Sequence, residues 1–160
     1  MSPVAVVIAD THIPRRAKQL PESMLPHLER ADLILHAGDL MDPTLLDYLA
    51  VYAPVLAVRG NLDPEEAKLP DVHEFEFGGV RIGMVHDSGQ KQGRRNRMRR
   101  RFPEARVVIF GHSHIPWLED DEELLLLNPG SPTDRRRQPE HTFALLSVGD
   151  GVVRAEVLAL

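Results

Sequence analysis

The segment "VVIFGHSHIPW" (residues 107–117) decides how the rest of the chain is interpreted. Its apolar run ends at Gly111 and is followed by His112 and His114, which are separated by one residue. A short β-branched run bounded by turn residues is typical of a strand buried on both faces. Residues two apart leave an extended strand on the same side. The segment therefore predicts a buried strand that delivers two imidazoles to one place.

Other apolar runs of the same kind lie at 4–9, 32–37, 54–59 and 80–85. Helix-like segments separate the first three of them. One covers residues 21–30, and the other covers 42–51, with Asp42 as the expected N-cap and Pro43 at the first helical position. The first half of the chain therefore predicts successive β-α units.

The second half shows a different pattern, that of β-hairpins. Alternating segments at 73–85, 116–127 and 141–160 turn at Gly-Gly, at an acidic run and at Gly-Asp-Gly. The change from β-α units to hairpins predicts an α/β fold, a four-layer α-β-β-α sandwich of two stacked mixed sheets flanked by helices. No linker or repeat divides the chain, so we expect a single domain over residues 1–160.

Composition excludes several classes of function. The 160 residues contain no cysteine, which rules out disulfides, thiolate metal sites and a cysteine nucleophile. No apolar run approaches the roughly 18 residues of a membrane span. The first apolar run has no basic segment ahead of it, so it resembles a strand and not a signal peptide, and we expect a cytoplasmic protein. The net charge of −5 gives no global reason to bind nucleic acid.

Side chains able to bind a metal follow each of the five predicted strands, at the strand ends where ligands collect in α/β sheets. They are Asp10, His12, Asp39, Asn61, His86, His112 and His114. Imidazoles, carboxylates and an amide oxygen form a mixed set that suits Mn, Ni, Co, Fe or Zn. Each motif alone also fits a turn or a strand-end histidine, but the ordered series favours a shared site.

Seven side chains exceed what one ion with an open position needs. They suit two divalent ions bridged by a carboxylate and a hydroxide, an arrangement that serves phosphoester hydrolysis. We therefore expect a dinuclear metal-dependent phosphoesterase in which a metal-bridging hydroxide attacks phosphorus in line. Manganese is the first expectation for the metal.

The same ordered series of motifs resembles the calcineurin-like metallophosphoesterase superfamily, and in particular the small bacterial and archaeal phosphodiesterases of the YfcE type. The segment "NPGSP" (128–132) also matches that branch. The resemblance implies two metal sites that share Asp39. Its ligands would be Asp10, His12, Asp39 and His114 for one ion, and Asp39, Asn61, His86 and His112 for the other.

Two positions depart from the family pattern. Leu62 stands where many members have a histidine that assists at the phosphate or the leaving group. We therefore expect phosphodiesters with good leaving groups to be preferred over monoesters. Asp87 follows His86 where a glycine is usual, and it fits either a turn residue or a carboxylate that tunes the site. Asp63 is expected to orient a metal ligand.

The basic segment "KQGRRNRMRRR" (91–101) predicts a helix with Met98 and Phe102 facing inward. Its arginines fit either a solvated face or a docking surface for an anionic substrate. On the docking interpretation, Arg94 and Arg95 join Asn61 as candidate substrate-binding residues. The expected partner is a small phosphodiester or nucleotide-like substrate, with nucleic acid and self-association left open and no membrane.

Two smaller features also stay open at this stage. His36, within a predicted strand, is expected to be either a core histidine or one that supports a ligand, and not a ligand itself. Trp117 fits either the cleft or the core. A related subunit of the retromer sorting coat keeps this fold as a protein-binding scaffold with a degraded metal site. A scaffold is therefore the alternative to an enzyme, and the intact ligand set favours the enzyme. A nuclease that uses the arginine-rich segments 91–101 and 134–138 is a further alternative.

Overall fold

A computed structural model describes residues 2–160. Strands and helices alternate in the first half, and strands dominate the second. In chain order the elements are β1 (Val4–Ile8), α1 (Leu25–Arg30), β2 (Leu33–His36), α2 (Thr44–Ala50), β3 (Val55–Ala57), β4 (Val72–Phe77), β5 (Val80–Val85), α3 (Arg94–Arg101), β6 (Val107–Ile109), β7 (Trp117–Asp120), β8 (Leu125–Asn128), β9 (Thr142–Gly149) and β10 (Val152–Ala159).

The strands form two five-stranded mixed sheets. The first has the order β10-β9-β1-β2-β3, in which β1, β2 and β3 are parallel and β9 and β10 are antiparallel to their neighbours. The second has the order β4-β5-β6-β8-β7, with β5, β6 and β8 parallel and an antiparallel strand at each edge. The five predicted strands correspond to β1, β2, β3, β5 and β6, which are all parallel strands of the two sheets. The loops that follow them therefore leave from the carboxyl ends of parallel strands.

Three apolar layers fill the space around the two sheets. Val7, Leu35 and Ile109 belong to the core between the sheets. The outer face of the first sheet packs on the two short helices α1 and α2, and that of the second sheet packs on Met98 of α3. This arrangement confirms the predicted four-layer α-β-β-α sandwich.

The helices of the first half are shorter than predicted. The segment 21–30 opens with a 3₁₀ turn at Glu22–Met24 before α1 begins. Pro26 lies in the first turn of α1, and because proline has no backbone N–H it cannot extend the α-helical ladder further back. Helix α2 begins after Pro43, and the Asp42 carboxylate accepts a hydrogen bond from the Thr44 N–H at 3.0 Å.

The hairpins form where the sequence predicts them. The β4–β5 turn has positive φ at Gly78 and Gly79 (59° and 86°), and the β9–β10 turn has positive φ at Asp150 and Gly151 (53° and 76°). Two successive positive φ values match the twist of tight two-residue hairpins. Within residues 2–160, no helix combines the length and apolar character needed to cross a membrane.

Candidate metal centre

The loops after β1, β2, β3, β5 and β6 bring all seven candidate ligands to one place. Six of them form two groups, Asp10 with His12 and His114, and Asp39 with His86 and His112. Within each group, the potential ligand atoms lie within 4.8 Å of one another. We call the first group the inner cluster and the second the outer cluster.

Asn61 joins the outer cluster through its amide oxygen. The Oδ1 atom lies 3.1 Å from His86 Nε2 and 3.3 Å from His112 Nδ1. The loop after β3 therefore adds an oxygen donor to the two imidazoles and the carboxylate of this cluster.

Asp39 belongs to the outer cluster and also faces the inner one. One carboxylate oxygen, Oδ2, is 3.4 Å from His12 Nε2 and 3.3 Å from His86 Nε2. The other, Oδ1, accepts a hydrogen bond from the Leu62 N–H at 2.8 Å. A single carboxylate that faces one imidazole of each cluster has the placement that a bridging ligand needs.

The inner cluster holds unpartnered polar atoms. Asp10 Oδ1, His12 Nε2 and His114 Nε2 are buried and make no hydrogen bond within residues 2–160. The carboxylate oxygen is 3.6 Å from the His114 nitrogen and 4.0 Å from the His12 nitrogen. Buried polar atoms nearly always have a partner, so three unpartnered donor atoms around one point fit a cation. A carboxylate oxygen and two imidazole nitrogens are suitable ligands for a divalent transition metal.

Three of the imidazoles are fixed through their second ring nitrogen. His12 Nδ1 is 3.0 Å from Asp134 Oδ2, and His86 Nδ1 is 2.7 Å from the Ala37 carbonyl oxygen. His114 Nδ1 bonds the backbone carbonyl of Asp134. A proton held on Nδ1 in these bonds leaves the Nε2 lone pair directed into the site, which is how outer hydrogen bonds prepare histidine ligands.

Asp134 is a site residue that the sequence reasoning missed. It lies in the arginine-rich loop "DRRRQ" (134–138), shortly after "NPGSP". Ser131 brings the loop in, since its hydroxyl donates to the Asp10 carbonyl at 2.8 Å and accepts from the Asp134 N–H at 2.8 Å. The presence of "NPGSP" just before it is the one sequence signal for this contact.

Asp63 orients the loop that carries Asp39, as the sequence suggested. Its Oδ2 accepts hydrogen bonds from the Asp39 and Gly60 N–H groups, both at 2.8 Å, and its Oδ1 accepts one from Met41 at 2.9 Å. The buried carboxylate therefore ties the loop after β3 to the loop after β2.

The backbone at the candidate ligands takes an uncommon conformation. Positive φ values occur at Asp10 (54°), His12 (48°), Asp39 (61°), His112 (73°) and His114 (62°). Residues other than glycine rarely adopt this region, and such strain concentrates at functional sites. The surrounding contacts must hold these residues in place.

Two glycines allow the loops to approach the carboxylates. A Cβ atom on Gly60 would lie 2.1 Å from Asp39 Oδ1, and one on Gly111 would lie 2.8 Å from Asp10 Oδ2. Neither position has room for a side chain. The close backbone approach explains why glycine precedes both Asn61 and His112.

Burial and the neighbouring imidazoles shift the pKa values of Asp10 and Asp39 in opposite directions. Burial raises the pKa of Asp10 to about 7, against the nearby imidazole of His86. Burial also opposes ionisation of Asp39, but the imidazoles of His12 and His86 together hold the pKa of Asp39 well below its usual range. Burial, more than the neighbouring Asp39 carboxylate, is therefore the main cause of the raised pKa of Asp10.

Two of the buried histidines of the site, His114 and His86, respond differently. Burial lowers the pKa of His114 to about 4. Burial also disfavours the charged form of His86, but the carboxylates of Asp39 and Asp10 outweigh it and raise its pKa to about 8. Near neutral pH the inner cluster therefore presents a neutral imidazole at His114.

His36 is buried behind the inner cluster, in the core position that the sequence predicts. Its Nε2 is 3.0 Å from the Thr11 hydroxyl, and its Nδ1 accepts a hydrogen bond from the Gly38 N–H at 3.1 Å. Burial lowers its pKa to about 3, so the ring is neutral. It supports the loops after β1 and β2 and does not join the ligands.

A cleft of about 490 Å³ opens beside the outer cluster. Its lining residues are Arg59, Gly60, Asn61, Asp71, Val85, His86, Asp87, Arg101 and His112. Asp87 Oδ1 accepts a hydrogen bond from the Gly89 N–H at 2.8 Å, while its Oδ2 lies 3.9 Å from His112 Nε2. Asp87 is therefore both a turn residue and a charge at the mouth of the site.

Arg94 and Arg95 lie outside this cleft lining. The Arg94 guanidinium stacks on Phe110 at 4.7 Å and on Trp117 at 5.3 Å, which places Trp117 in a packing role. Arg95 donates to Glu119 Oε1 at 2.7 Å and pairs with Asp121 at 3.0 Å. The structure brings Asn61 to the cleft but not these two arginines, and it places Arg59 and Arg101 there instead.

Comparison with known sequences identifies the family. The model of the "Calcineurin-like phosphoesterase superfamily domain" matches residues 4–151. The chain belongs to this superfamily. A "Probable metallophosphoesterase" of Methanothermobacter thermautotrophicus is 42% identical over 130 residues, which cover 79% of this chain and 76% of that protein. A protein of the same description from Methanocaldococcus jannaschii is 40% identical over 147 residues, 90% of this chain and 75% of that one.

Among solved structures, Vacuolar Protein Sorting 29 from Cryptosporidium parvum superposes on this calcineurin-like phosphoesterase with a TM-score of 0.82. The alignment covers 99% of this chain and 98% of that one, at 21% identity. This likeness shows the fold alone. The family and the two His/Asp clusters together support a metal-dependent phosphoesterase.

Proposed function

We propose that this protein is a phosphodiesterase with a dinuclear metal site, loaded with Mn²⁺ in preference to Ni²⁺, Co²⁺, Fe²⁺ or Zn²⁺. The inner cluster would hold one ion, and the outer cluster with Asn61 would hold the other. The observation that carries the proposal is the convergence of three buried, unpartnered donor atoms beside Asp39, which faces both clusters.

The side chains of the site would position the two ions and the substrate and would supply charge around them. Divalent ions in such a site activate water near neutral pH and neutralise the charge of phosphoryl oxygens. Because the Asn61 Oδ1 faces His86 and His112, its NH₂ group is free to donate a hydrogen bond to a phosphate oxygen. The side chain of His112 is 45% exposed, so it meets the substrate at the cleft mouth.

Leu62 supports the preference for diesters. Its side chain is 42% exposed and carries no proton to give to a leaving group, while its backbone N–H is used by Asp39. A diester with a good leaving group needs no such donor. Monoesters and poor leaving groups should therefore react slowly. The expected substrate is a small phosphodiester or a nucleotide-like ester.

The test is hydrolysis of bis-p-nitrophenyl phosphate against p-nitrophenyl phosphate. Chelator-stripped protein is resupplied with Mn²⁺, Ni²⁺, Co²⁺, Zn²⁺ or Mg²⁺, with Asp39→Ala as the inactive variant and Asp42→Asn as the matched surface control. We expect metal-dependent cleavage that favours the diester and disappears only in Asp39→Ala. Faster monoester cleavage would contradict the diester preference, and no cleavage with any metal would contradict the enzyme.

A protein-binding scaffold is the second candidate, and the likeness to Vacuolar Protein Sorting 29 is the observation that favours it. A scaffold has no physical need for seven metal-competent side chains that meet at one point. A nuclease would share the chemistry but needs an exposed basic surface, and most arginines of α3 are engaged by the protein itself. Salt-sensitive binding of oligonucleotides would favour the nuclease.

A further inference from the structure

The arginines of α3 divide into two kinds. Arg97 donates to the carbonyl oxygens of Ser88 (2.7 Å) and Gln90, and Arg99 donates to that of Ala105 (3.0 Å). With Arg94 and Arg95, described above, these side chains fasten the helix to neighbouring loops and to β7. Their positive charge is not available to a ligand in the cleft.

Arg101, at the end of α3, is different. It is exposed, and within residues 2–160 its guanidinium makes neither a hydrogen bond nor an ion pair. It lines the cleft that also contains His86 and His112. Its neighbour Arg100 is also exposed but does not line the cleft, which makes Arg100 a natural control.

Arg59 supplies a second cation to the same cleft from the end of β3. Its Nε donates to the Asp63 carbonyl oxygen at 3.2 Å, and this bond fixes the direction of the side chain. The two terminal amino groups have no protein partner among residues 2–160. A guanidinium held at Nε with free terminal groups is ready to bind an anion.

We propose that Arg59 and Arg101 form a subsite for a second phosphate group of the substrate, beside the phosphoester that reacts at Asn61, His86 and His112. The inference rests on the proposed function. The planar forks of two guanidinium groups match the oxygens of a phosphate, which accepts paired hydrogen bonds. The substrate class is therefore a nucleotide-like diester that carries an additional phosphate.

Two carboxylates in the same lining, Asp71 and Asp87, limit what this subsite accepts. They balance the charge of the two arginines, so the cleft as a whole is not a strongly positive groove. A long polyanion such as nucleic acid would meet these carboxylates as well as the arginines. A single compact phosphate at the arginines avoids them, which is why we favour a small substrate.

The test compares two esters that differ only in the second phosphate. They are the p-nitrophenyl ester of thymidine 5′-phosphate and the same ester with a 3′-phosphate, assayed with Mn²⁺ at low salt. We expect the 3′-phosphate to raise kcat/KM about tenfold through KM, a typical effect of a partly exposed charged hydrogen bond. Arg101→Ala and Arg59→Ala should reduce this ratio toward one, and Arg100→Ala should keep it. Added salt should lower the ratio in the wild type.

A ratio near one in the wild type, or the wild-type ratio in Arg101→Ala, would overturn the subsite while leaving the phosphodiesterase in place. If neither ester is cleaved, the proposed function is wrong, and the subsite is then tested by measuring ligand binding alone. Calorimetry on chelator-treated protein would compare thymidine 3′,5′-bisphosphate with thymidine 5′-monophosphate. Tighter binding of the bisphosphate that depends on Arg101 supports the subsite, and equal affinities overturn it.

Discussion

The inner and outer clusters use similar side chains but differ in their surroundings. Asp10, His12 and His114 are buried, and Asp134 and Ser131 close the space behind them. In the outer cluster, His86 is buried as well, whereas Asn61 is exposed and the side chain of His112 is 45% exposed. The same set of imidazoles and carboxylates is therefore enclosed on one side and open to a cleft on the other.

This difference suggests that the two clusters have different functions. Ligands that are buried and fixed by outer hydrogen bonds lose little freedom when an ion binds, and their charges act at low effective dielectric. The outer cluster keeps space for a substrate. We therefore expect the inner cluster to bind its ion more tightly and the outer cluster to meet the phosphate.

The largest effect should follow from Asp39→Ala, because Asp39 faces both clusters. Loss of a ligand to both ions should reduce hydrolysis of bis-p-nitrophenyl phosphate at least about a thousandfold, since metal ions supply several kcal/mol of charge stabilisation. Metal analysis of the variant should show both ions lost. Retention of one ion at wild-type affinity would assign Asp39 to one cluster alone.

Alanine substitution at the two crowded glycines compares the clusters directly. Gly60→Ala places Cβ 2.1 Å from Asp39 Oδ1, whereas Gly111→Ala places it 2.8 Å from Asp10 Oδ2. We expect the free energy of unfolding to fall by about 3 kcal/mol for Gly60→Ala and by about 1–2 kcal/mol for Gly111→Ala, the range for overpacking. Urea denaturation of the metal-free protein measures both.

Gly79→Ala is an uncrowded comparison for these two variants, because a Cβ there meets nothing within 4 Å and its effect reports only the strain of a positive φ that Gly60 and Gly111 do not have. It removes a glycine at positive φ without crowding a carboxylate. A larger loss at Gly111 than at Gly60 would mean that the inner cluster is the tighter-packed one.

A lower pH should reduce the free energy of unfolding through His36, which lies behind the inner cluster. Burial lowers the pKa of His36 from 6.5 to about 3, so at mildly acidic pH the unfolded chain binds a proton that the folded chain does not. The stabilisation is complete above pH ~6.5 and is lost as the pH falls toward ~3. Between pH 7 and pH 5, His36 should account for about 2 kcal/mol of lost unfolding free energy in the metal-free protein.

His36→Gln isolates this contribution, because Asp10, whose pKa is raised to about 7, changes stability with the opposite sign over part of the same range. Urea denaturation at pH 7 and pH 5 should show a smaller difference in His36→Gln than in the wild type. His73→Gln on β4 is the matched control. An equal pH dependence in His36→Gln and the wild type would contradict the assignment.

Asp134→Asn should produce the smallest effect, confined to the inner cluster. It keeps the shape of the side chain but removes the charge 3.0 Å from His12 Nδ1. We expect the affinity for the inner ion to fall about tenfold, at the lower end of what outer-shell changes cost. Titration with Mn²⁺ followed by calorimetry would resolve the two sites, with Asp47→Asn on α2 as control. Weakening of the outer site alone would contradict the distinction between the clusters.

The fold was predictable because its signals are local. Short β-branched runs, turn glycines and the change from helical segments to hairpins each depend on neighbouring residues, and these gave the two mixed sheets and the outer helices. The helix starts were less accurate, since proline at position 26 breaks the ladder in a segment whose composition otherwise favours a helix.

The candidate ligands were predictable for a related reason. Parallel strands end at one edge of a sheet, so the residues that follow them meet without any further information. The positive φ values at five of these residues were not visible in the sequence, because Asp and His, although enriched in the left-handed region, far more often adopt other conformations. Long-range contacts such as those of Asp63 and Ser131 hold that conformation.

The roles of the charged side chains depended on the tertiary structure. The basic segment 91–101 gave the helix and its inward Met98, but it did not separate the arginines that bind carbonyl groups from Arg101 in the cleft. Nor did it show that Asp134, 122 residues along the chain from His12, would fix that imidazole.

The sequence by itself determined the strands, the order of the layers and the seven side chains that meet at the strand ends, since periodicity and turn chemistry act over a few residues. Only the tertiary structure decided which cluster is enclosed, which arginines remain free and which carboxylate supports which histidine. These properties arise from contacts between segments distant in the chain, where burial and charge depend on what the fold brings together.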